Sequence, residues 1–459
     1  MSLIHLGRRH LGRWLGLVAP AAVILLQTNP AAAVPAFARQ TGMECQACHV
    51  GSFGPQLTAY GRAFKLNGYV WGGNDSFVDH FSGMVYGGYE HTQAKEPQTS
   101  SPVNRLASND NATVDQASLF YAGRLTDTVG VMAQATYKDP QRTFTWDNTD
   151  VRYADNTEAF GHSLVYGITL NNNPGVQDVW QTTPAWTFPY QSSGVASNAF
   201  GGSGQPQLLN GTQGQRVAGL GGYVLWNDLV YAELSGYHAL GNGAQTALGE
   251  MNTNGTDHLK GINPYWRLAL QHDYGQHYVA LGGYGMDYDR YPGNGRINGT
   301  DKLKDYGLDA TYQGTFNDGE HIVSLYGTAL RENQDLNSTF AAGSSDNNHD
   351  SLKTYRVNAS YSYKNTYGLT VGRFVTLGNT DATYFGSQSG KPNSSAYVAQ
   401  IDYTPTGLAD SWGAPYLNAR LFLQYTYYTR YNGGVDNVDG NGRSASDYNT
   451  LYTGVWFAF

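Results

Sequence analysis

Two cysteines and a histidine near the N-terminus have the spacing that holds a covalent haem. Cys45, Cys48 and His49 form a C-x-x-C-H motif. In this motif the two thiols add across the haem vinyl groups, and the imidazole that follows binds the iron. We therefore predict one covalent haem c, attached at Cys45 and Cys48, with His49 as the proximal axial ligand.

Zinc binding and thiol redox chemistry are the alternatives for such a cysteine pair. A structural zinc site needs four ligands and often a second cysteine pair, but the chain has only these two cysteines. A redox dithiol is expected inside a βαβ thioredoxin-like pattern, which the sequence lacks. The motif therefore favours haem.

The first 33 residues have the pattern of a secretory signal peptide. Arg8, Arg9 and Arg13 precede an apolar run from Leu15 to Leu26, and Ala31-Ala32-Ala33 offers a cleavage site. The run of about 12 residues is shorter than the ~20 that a membrane-spanning helix needs. We read the arginine pair as ordinary signal-peptide charge rather than a twin-arginine signal.

Composition limits the classes of partner. The formal net charge is −8, and removal of the signal peptide would take away arginines but no acids. An acidic protein is a poor match for nucleic acid or an anionic membrane surface, because both attract basic patches. We therefore expect no nucleic-acid partner.

From about residue 80 onwards, apolar and polar side chains alternate in segments of strand length. In 354–364, for example, Tyr355, Val357 and Tyr361 share one face and Arg356 and Asn358 the other. We count sixteen such segments, which begin near residues 81, 113, 128, 148, 161, 214, 229, 261, 276, 301, 319, 351, 367, 394, 415 and 447. This pattern predicts an all-β fold, a 16-stranded antiparallel outer-membrane β-barrel.

The connections and the C-terminus support the barrel. Links after even-numbered strands are mostly tight, as at 317–319 and 364–366, whereas links after odd-numbered strands are mostly long and polar, as at 172–213 and 431–446. Outer-membrane barrels have this asymmetry, with long loops outside the cell and both chain ends in the periplasm. The chain ends on Phe459, like a barrel insertion signal. A β-sandwich or β-propeller is the alternative, but it does not require this asymmetry.

The haem segment is too short to fold as an ordinary cytochrome. We divide the chain into a signal peptide at 1–33, a monohaem cytochrome c segment at 34–78 and a barrel at 79–459. The segment has too few residues for a core of its own, and its one amphipathic pattern predicts a helix over 56–67. We therefore predict a short N-terminal haem plug that the barrel completes, at the periplasmic side or inside the lumen.

Two methionines are the candidate distal axial ligands. Met84 and Met132 each lie early in a predicted strand and on the face that should point into the lumen. Met43 is too close to Cys45 to reach the far side of the haem, Met251 lies in an outer loop, and Met286 is expected to face lipid. The imidazole alternatives are His80, His272 and His277.

Several charged residues have two open interpretations. Arg62 and Lys65 could pair with the haem propionates, or they could form a solvated helix face. Acidic loop residues could raise the local Fe(II) concentration or simply be solvated; these are Asp346 and Asp350 around His349, and Asp436 and Asp439. The stretch from Asp436 to Asn441 hints at a calcium loop but lacks its remaining ligands.

The N-terminal motif resembles a known family. The quoted residues are Pro35 to Gly42, Cys45-Gln46-Ala47-Cys48-His49, Pro55, Leu57, Gly61-Arg62, Phe64-Lys65 and Gly68-Tyr69. They are similar to the fused monohaem cytochrome–porins, the outer-membrane iron oxidases of iron-oxidising bacteria. About 35 residues carry the motif, and the remainder agrees in architecture only.

The resemblance implies electron transfer across the outer membrane. Extracellular Fe(II) would be oxidised, and one electron would pass through the haem to a periplasmic cytochrome or copper protein. Two alternatives remain open: a fused cytochrome–porin for another extracellular electron donor or acceptor, and a solute porin with a structural haem. Whether the chain is an enzyme is left open.

Overall fold

A computed structural model describes residues 35–73, 76–95, 106–138, 142–197, 209, 213, 216–249, 258–292, 298–406 and 417–459. The predicted signal peptide and Met251 lie outside these residues. The structure is a closed antiparallel barrel, because the first strand pairs with both the second and the last. The predicted fold class is confirmed.

Sixteen long strands form the wall. They are β1 Phe81–Thr92, β2 Asn111–Arg124, β3 Val129–Lys138, β4 Thr143–Ala159, β5 His162–Asn171, β6 Val217–Trp226, β7 Val230–Ala239, β8 Asn263–Asp273, β9 His277–Tyr291, β10 Asp301–Phe316, β11 His321–Asp335, β12 His349–Tyr363, β13 Tyr367–Gly378, β14 Ser394–Tyr403, β15 Asn418–Arg430 and β16 Thr450–Ala458. A two-residue strand, His258–Leu259, also pairs with β9.

The start of β4 was predicted wrongly, at 148 rather than Thr143. The pairing of β3 with β4 shifts register between Ala133 and Ala135, so a bulge lies opposite, between Trp146 and Thr149. A bulge adds a residue to one strand and exchanges the faces of the residues beyond it. The alternation is therefore broken there, and the pattern cannot be followed across it.

The outer surface of the barrel is apolar. Val357, Leu369 and Leu423 lie on it and are about half exposed or more, while Tyr367 and Tyr403 stack near the short-turn rim at 5.4 Å between ring centroids. An apolar band with aromatic residues at its edge suits the hydrocarbon core of a bilayer and its interface. The barrel is therefore of the outer-membrane type.

Met286 does not face lipid, which corrects the prediction. Its side chain is fully buried on the inner face of β9, in one apolar cluster with Tyr284 and Tyr288. The outward positions beside it are Gly285 and Asp287, so the apolar signal of this stretch lies on the inner face. Tyrosine stripes on this strand fill the lumen instead of contacting lipid.

The two rims differ as predicted. Three of the tight turns have positive φ at two successive residues, as type I′ hairpin turns require; these are Asn227-Asp228, Asn317-Asp318 and Lys364-Asn365. We name this end the short-turn rim. The opposite end, the long-loop rim, carries the connections 93–110, 240–262, 336–348 and 431–449.

The described helices are short. The N-terminal segment contains α1 Pro35–Thr41, α2 Cys45–Cys48, α3 Ala59–Leu66 and a 3-10 turn Phe77–His80, and the loops contain α4 Asn242–Ala247, α5 Asn337–Ala341, α6 Ala382–Phe385 and the 3-10 turns Pro184–Trp186 and Ala445–Tyr448. None of the helices in the described ranges has the length and apolar character to cross a membrane. The helix predicted over 56–67 is present but starts later, because the Thr58 side chain caps it by accepting from Gly61 N.

Candidate functional site

The N-terminal segment lies inside the barrel as a plug, which we define as residues 35–73. Its α3 is fixed to the wall from several directions: Tyr223 donates to the carbonyl oxygen of Leu66 at 2.6 Å, and Arg152 donates to that of Lys65 at 3.2 Å. On another strand, Ser360 accepts a hydrogen bond from Gln56 at 3.0 Å. The predicted plug inside the lumen agrees with these contacts.

The attachment motif consists of α2, which carries Cys45 and Cys48, and of His49, which ends that helix. Cys45 is only 8% exposed, and Asn418 on β15 donates from Nδ2 to its Sγ at 2.9 Å. Cys48 lies one helical turn later and is less buried. Burial raises the pKa of the Cys45 thiol to about 12 and that of Cys48 to about 11. Both are therefore neutral thiols in the haem-free chain at neutral pH.

A loop after His49 returns the chain to α3. Gly51 N donates to Asn365 Oδ1 at 2.9 Å, and Arg420 donates to the carbonyl oxygens of Gly51 and Phe53 at 2.9 and 2.5 Å. We name residues 50–54 the proximal loop. Its backbone is thus held by the barrel wall from two sides.

His49 is a partly buried, neutral imidazole. Burial lowers its pKa to about 4, against smaller raising effects of the Gly54 and Gln56 backbone, and the positive charge of Arg420 lowers it further. Its Nδ1 has no partner at hydrogen-bonding geometry among the described residues. A neutral imidazole is the form that binds iron.

The motif opens onto a cavity of about 430 Å³ between plug, wall and one long loop. Its lining is mainly apolar and aromatic, and its charged members are Glu44, Lys65 and Asp147. Its sulfur-containing, imidazole and aromatic lining residues include Cys45, Cys48, His49, Phe53, Met43, Met84, Met132, Tyr86, Phe120, Trp186, Tyr190 and Trp456. A largely apolar pocket of this size, with few polar groups, is typical of a cofactor site.

Both predicted distal methionines line this cavity. Met84 and Met132 are each half-buried on the inner face, near the short-turn ends of β1 and β3. Met43 lines it too, although it was set aside because of its closeness to Cys45. The cavity thus brings three thioethers together with the C-x-x-C-H motif.

The imidazole alternatives do not reach the cavity. His80 has a backbone carbonyl oxygen at each ring nitrogen, Ser76 at 2.9 Å and Arg124 at 2.8 Å. His272 and His277 are exposed on the short-turn rim. None of the three is among the cavity's lining residues.

Comparisons with known proteins find distant structural similarity. No protein-family model and no curated protein matches the chain. The solved structures that match include OmpT, an outer membrane protein of Vibrio cholerae, with 10% identity over 83% of this chain and 96% of that chain and a TM-score of 0.40. OmpF of Salmonella typhi in complex with daunomycin has 11% identity over 83% of this chain and 97% of that chain, with a TM-score of 0.45. The outer membrane channel DcaP of Acinetobacter baumannii has 10% identity over 83% of this chain and 96% of that chain, with a TM-score of 0.43. Similarity this low says nothing about what this chain binds.

The residues around the motif fit a haem. Two thiols and a neutral imidazole border one apolar cavity, and thioether side chains, which are soft ligands, line the same cavity. Among the described residues, His49 Nδ1 has no hydrogen-bond partner. Cys45 and Cys48 would hold the haem covalently, and His49 would bind its iron. Within the described residues, no group of three or more His, Cys, Asp or Glu side chains could hold a metal ion.

Arg62 and Lys65 do not form a solvated helix face, since they are 6% and 7% exposed. Lys65 lines the cavity, and its Nζ donates to the carbonyl oxygens of Val176 and Asp178 at 2.7 and 2.8 Å. Burial lowers the pKa of Lys65 to about 7, and the nearby Arg152 adds to this effect. Arg62 donates to the carbonyl oxygen of Leu57 instead and does not line the cavity. Of the two, only Lys65 is placed for a propionate.

The acidic loop residues accept hydrogen bonds within their own loop or from the neighbouring loop. Asp346 accepts from the backbone of Ala382 and Thr383, and His349 Nδ1 lies 2.7 Å from Asp335 Oδ1. Asp439 accepts from the backbone of Asn441 and Arg443. These contacts are enough to explain Asp346 and Asp439 without a bound cation.

Sequence reasoning missed the wall of the cavity that comes from the loop after β5. Residues 172–190 fold into the lumen and are mostly buried, and Trp186 and Tyr190 line the cavity. Gln181 of this loop accepts a hydrogen bond from Leu57 N of the plug at 2.7 Å. The available signal was composition, because four aromatic residues and two prolines within 180–190 are unusual for a solvated loop.

Gly61 is expected to be essential for the packing of α3 on α2. A Cβ at this position would lie 2.2 Å from the carbonyl oxygen of Cys48. We expect Gly61→Ala to destabilise the plug by about 1–3 kcal/mol and to reduce the yield of haem-loaded protein. Unfolding in detergent and haem content per protein measure this.

The matched control is Gly73→Ala, because no atom lies within 4 Å of that Cβ. Equal behaviour of the two variants would contradict the packing described for α2 and α3.

Proposed function

We propose that this chain is an outer-membrane c-type cytochrome–porin fusion that transfers one electron from extracellular Fe(II) to a periplasmic acceptor. One observation carries the proposal: the C-x-x-C-H motif and three methionines line a single apolar cavity inside a porin-like barrel. The short-turn rim would face the periplasm and the long-loop rim the outside, as in outer-membrane barrels.

The residues of the chain have separate tasks in this proposal. Cys45 and Cys48 would anchor the cofactor, His49 would bind its iron, and Met84 or Met132 is the candidate for the second iron ligand. When bound, haem supplies a one-electron couple, whose potential a methionine ligand would raise. Phe53, Trp186 and Trp456 line the cavity with apolar rings and limit access of water.

The donor and the acceptor lie on opposite sides of the membrane. Fe(II) is the substrate, and it is oxidised to Fe(III) outside the cell as one electron is given to a soluble periplasmic cytochrome or copper protein. The resemblance of the N-terminal motif to the iron-oxidising cytochrome–porins supports iron as the donor. The cavity supports electron transfer but does not indicate which donor supplies the electron.

The plug and the loop held inside the lumen favour electron transfer over solute diffusion. The plug is hydrogen-bonded to strands around the wall, and residues 172–190 cover it from the long-loop side. A diffusion porin needs a continuous aqueous path. In this proposal the barrel insulates and positions the plug and does not conduct solutes.

Stopped-flow mixing with Fe(II) tests the proposed function. We expect the haem absorbance of the detergent-solubilised protein to change from the oxidised to the reduced form on a millisecond-to-second timescale. We also expect no steady conductance in planar bilayers. Absence of haem reduction would contradict iron oxidation, whereas open-channel conductance would favour a solute porin. If another donor reduces the haem and Fe(II) does not, the assignment as a cytochrome–porin fusion stands, but the electron donor is not Fe(II).

A further inference from the structure

A buried arginine on the barrel wall faces the proximal loop. Arg420 lies near the start of β15 and is 6% exposed. Its guanidinium donates two hydrogen bonds to carbonyl oxygens of that loop, at Gly51 and Phe53. Two positions earlier on the same face, Asn418 contacts Cys45 Sγ. The inner face of β15 therefore contacts the attachment motif before His49 and the proximal loop after it.

The charge of Arg420 is not neutralised by an ion pair. No carboxylate of the described residues lies within salt-bridge distance of it, and its Nε has no hydrogen-bond partner there. Asp402 on β14 interacts with it electrostatically. Other lumenal arginines differ, since Arg152 and Arg290 each pair with an aspartate, at 2.6 and 3.3 Å.

The surroundings of Arg420 are apolar and close. Its guanidinium lies 4.9 Å from the ring centroid of Phe53 and 5.7 Å from that of Trp456. A Cβ at Gly51 would lie 3.0 Å from Nη2, and one at Gly54 would lie 3.3 Å from Nη1, so both glycines permit this approach. A charge among such groups is weakly screened and acts over a longer distance than one in water.

We infer that Arg420 is a positioning residue that holds the proximal loop and, through its unpaired charge, raises the redox potential of the haem. A fixed positive charge disfavours the oxidised iron, because that form carries one more positive charge than the reduced form. The hydrogen bonds to the loop carbonyls keep His49 facing the cavity. This inference rests on the proposed function.

Spectroelectrochemical titration of the haem-loaded full chain tests the inference. We expect Arg420→Gln to lower the ratio of reduced to oxidised haem about tenfold at a fixed potential, which is a shift of 59 mV for a one-electron couple. Arg420→Lys keeps the charge and is expected to retain most of the potential. Arg420→Met is a second neutral variant, because apolar residues often replace buried ions without loss of folding.

Arg290→Gln is the matched control, since Arg290 is equally buried but lies at the long-loop end of β9. It is expected to leave the potential unchanged. The role of Arg420 would be overturned, and the proposed function left standing, by either of two results. The first is an unchanged redox potential in both Arg420→Gln and Arg420→Met. The second is a potential in Arg420→Lys that is shifted as far as in these neutral variants. Wild-type protein without covalent haem would instead overturn the proposed function, and this inference with it.

Discussion

Replacing Cys45 and Cys48 with serine together is expected to abolish covalent haem while leaving the barrel folded. The two thiols are the only cysteines of the chain, so no other side chain can form a thioether. The strand pairing of the wall does not depend on them, because the hydrogen bond between Cys45 and β15 comes from the side chain of Asn418. Haem staining of a denaturing gel and intact mass both measure the loss.

The single variants serve as internal controls for this loss. Each retains one thiol, so we expect haem attached by one bond, with a shifted reduced absorption band and a lower yield. A heat-modifiable gel shift should stay the same in all variants if the barrel is folded. Haem that stays covalently bound in the double variant would contradict the assignment of the attachment site.

Substitution of the distal methionine is expected to change the axial ligation. We expect either Met84→Ala or Met132→Ala to remove the charge-transfer absorption of a methionine–ferric iron bond and to lower the potential, because methionine ligation raises it. The other variant should leave both properties near the wild-type values. Visible and near-infrared absorbance of the oxidised protein measures the change.

Met286 and Met43 provide the comparison variants for Met84 and Met132. Met286→Ala removes a fully buried thioether that does not line the cavity, so it should cost stability, about 2–5 kcal/mol, without changing the spectrum. Met43→Ala tests the third thioether of the lining. If Met84→Ala and Met132→Ala both leave the spectrum unchanged, methionine ligation by either residue is wrong.

The barrel could be predicted from the sequence because one wall face contacts lipid and the other contacts the lumen. That contrast gives the alternation from which strands such as β12 and β15 can be recognised. Prediction from this alternation fails where a bulge interrupts the two-residue period, as in β4. It also fails where both faces of a strand are apolar or lack side chains. Met286 was misplaced because the outward positions beside it, Gly285 and Asp287, carry no apolar side chain, so the apolar face of this stretch is the inner one.

The site was predictable only in part. The C-x-x-C-H motif and the inward faces of Met84 and Met132 follow from local spacing, and the structure brings these residues to one cavity. Arg420 and Trp186 could not be found this way, because they reach the cavity through chain segments far from the motif. Only the closure of the barrel and the inward fold of residues 172–190 bring them there.

Electron transfer across a sealed vesicle tests the central proposal most directly. The protein is reconstituted into liposomes that contain an oxidised soluble cytochrome, and Fe(II) is added outside with an iron chelator dye trapped inside. We predict that the internal cytochrome is reduced, that no iron reaches the dye, and that the Cys45→Ser/Cys48→Ser variant is inactive. Reduction that persists in this variant, or that occurs only as iron enters the vesicle, would contradict the proposal.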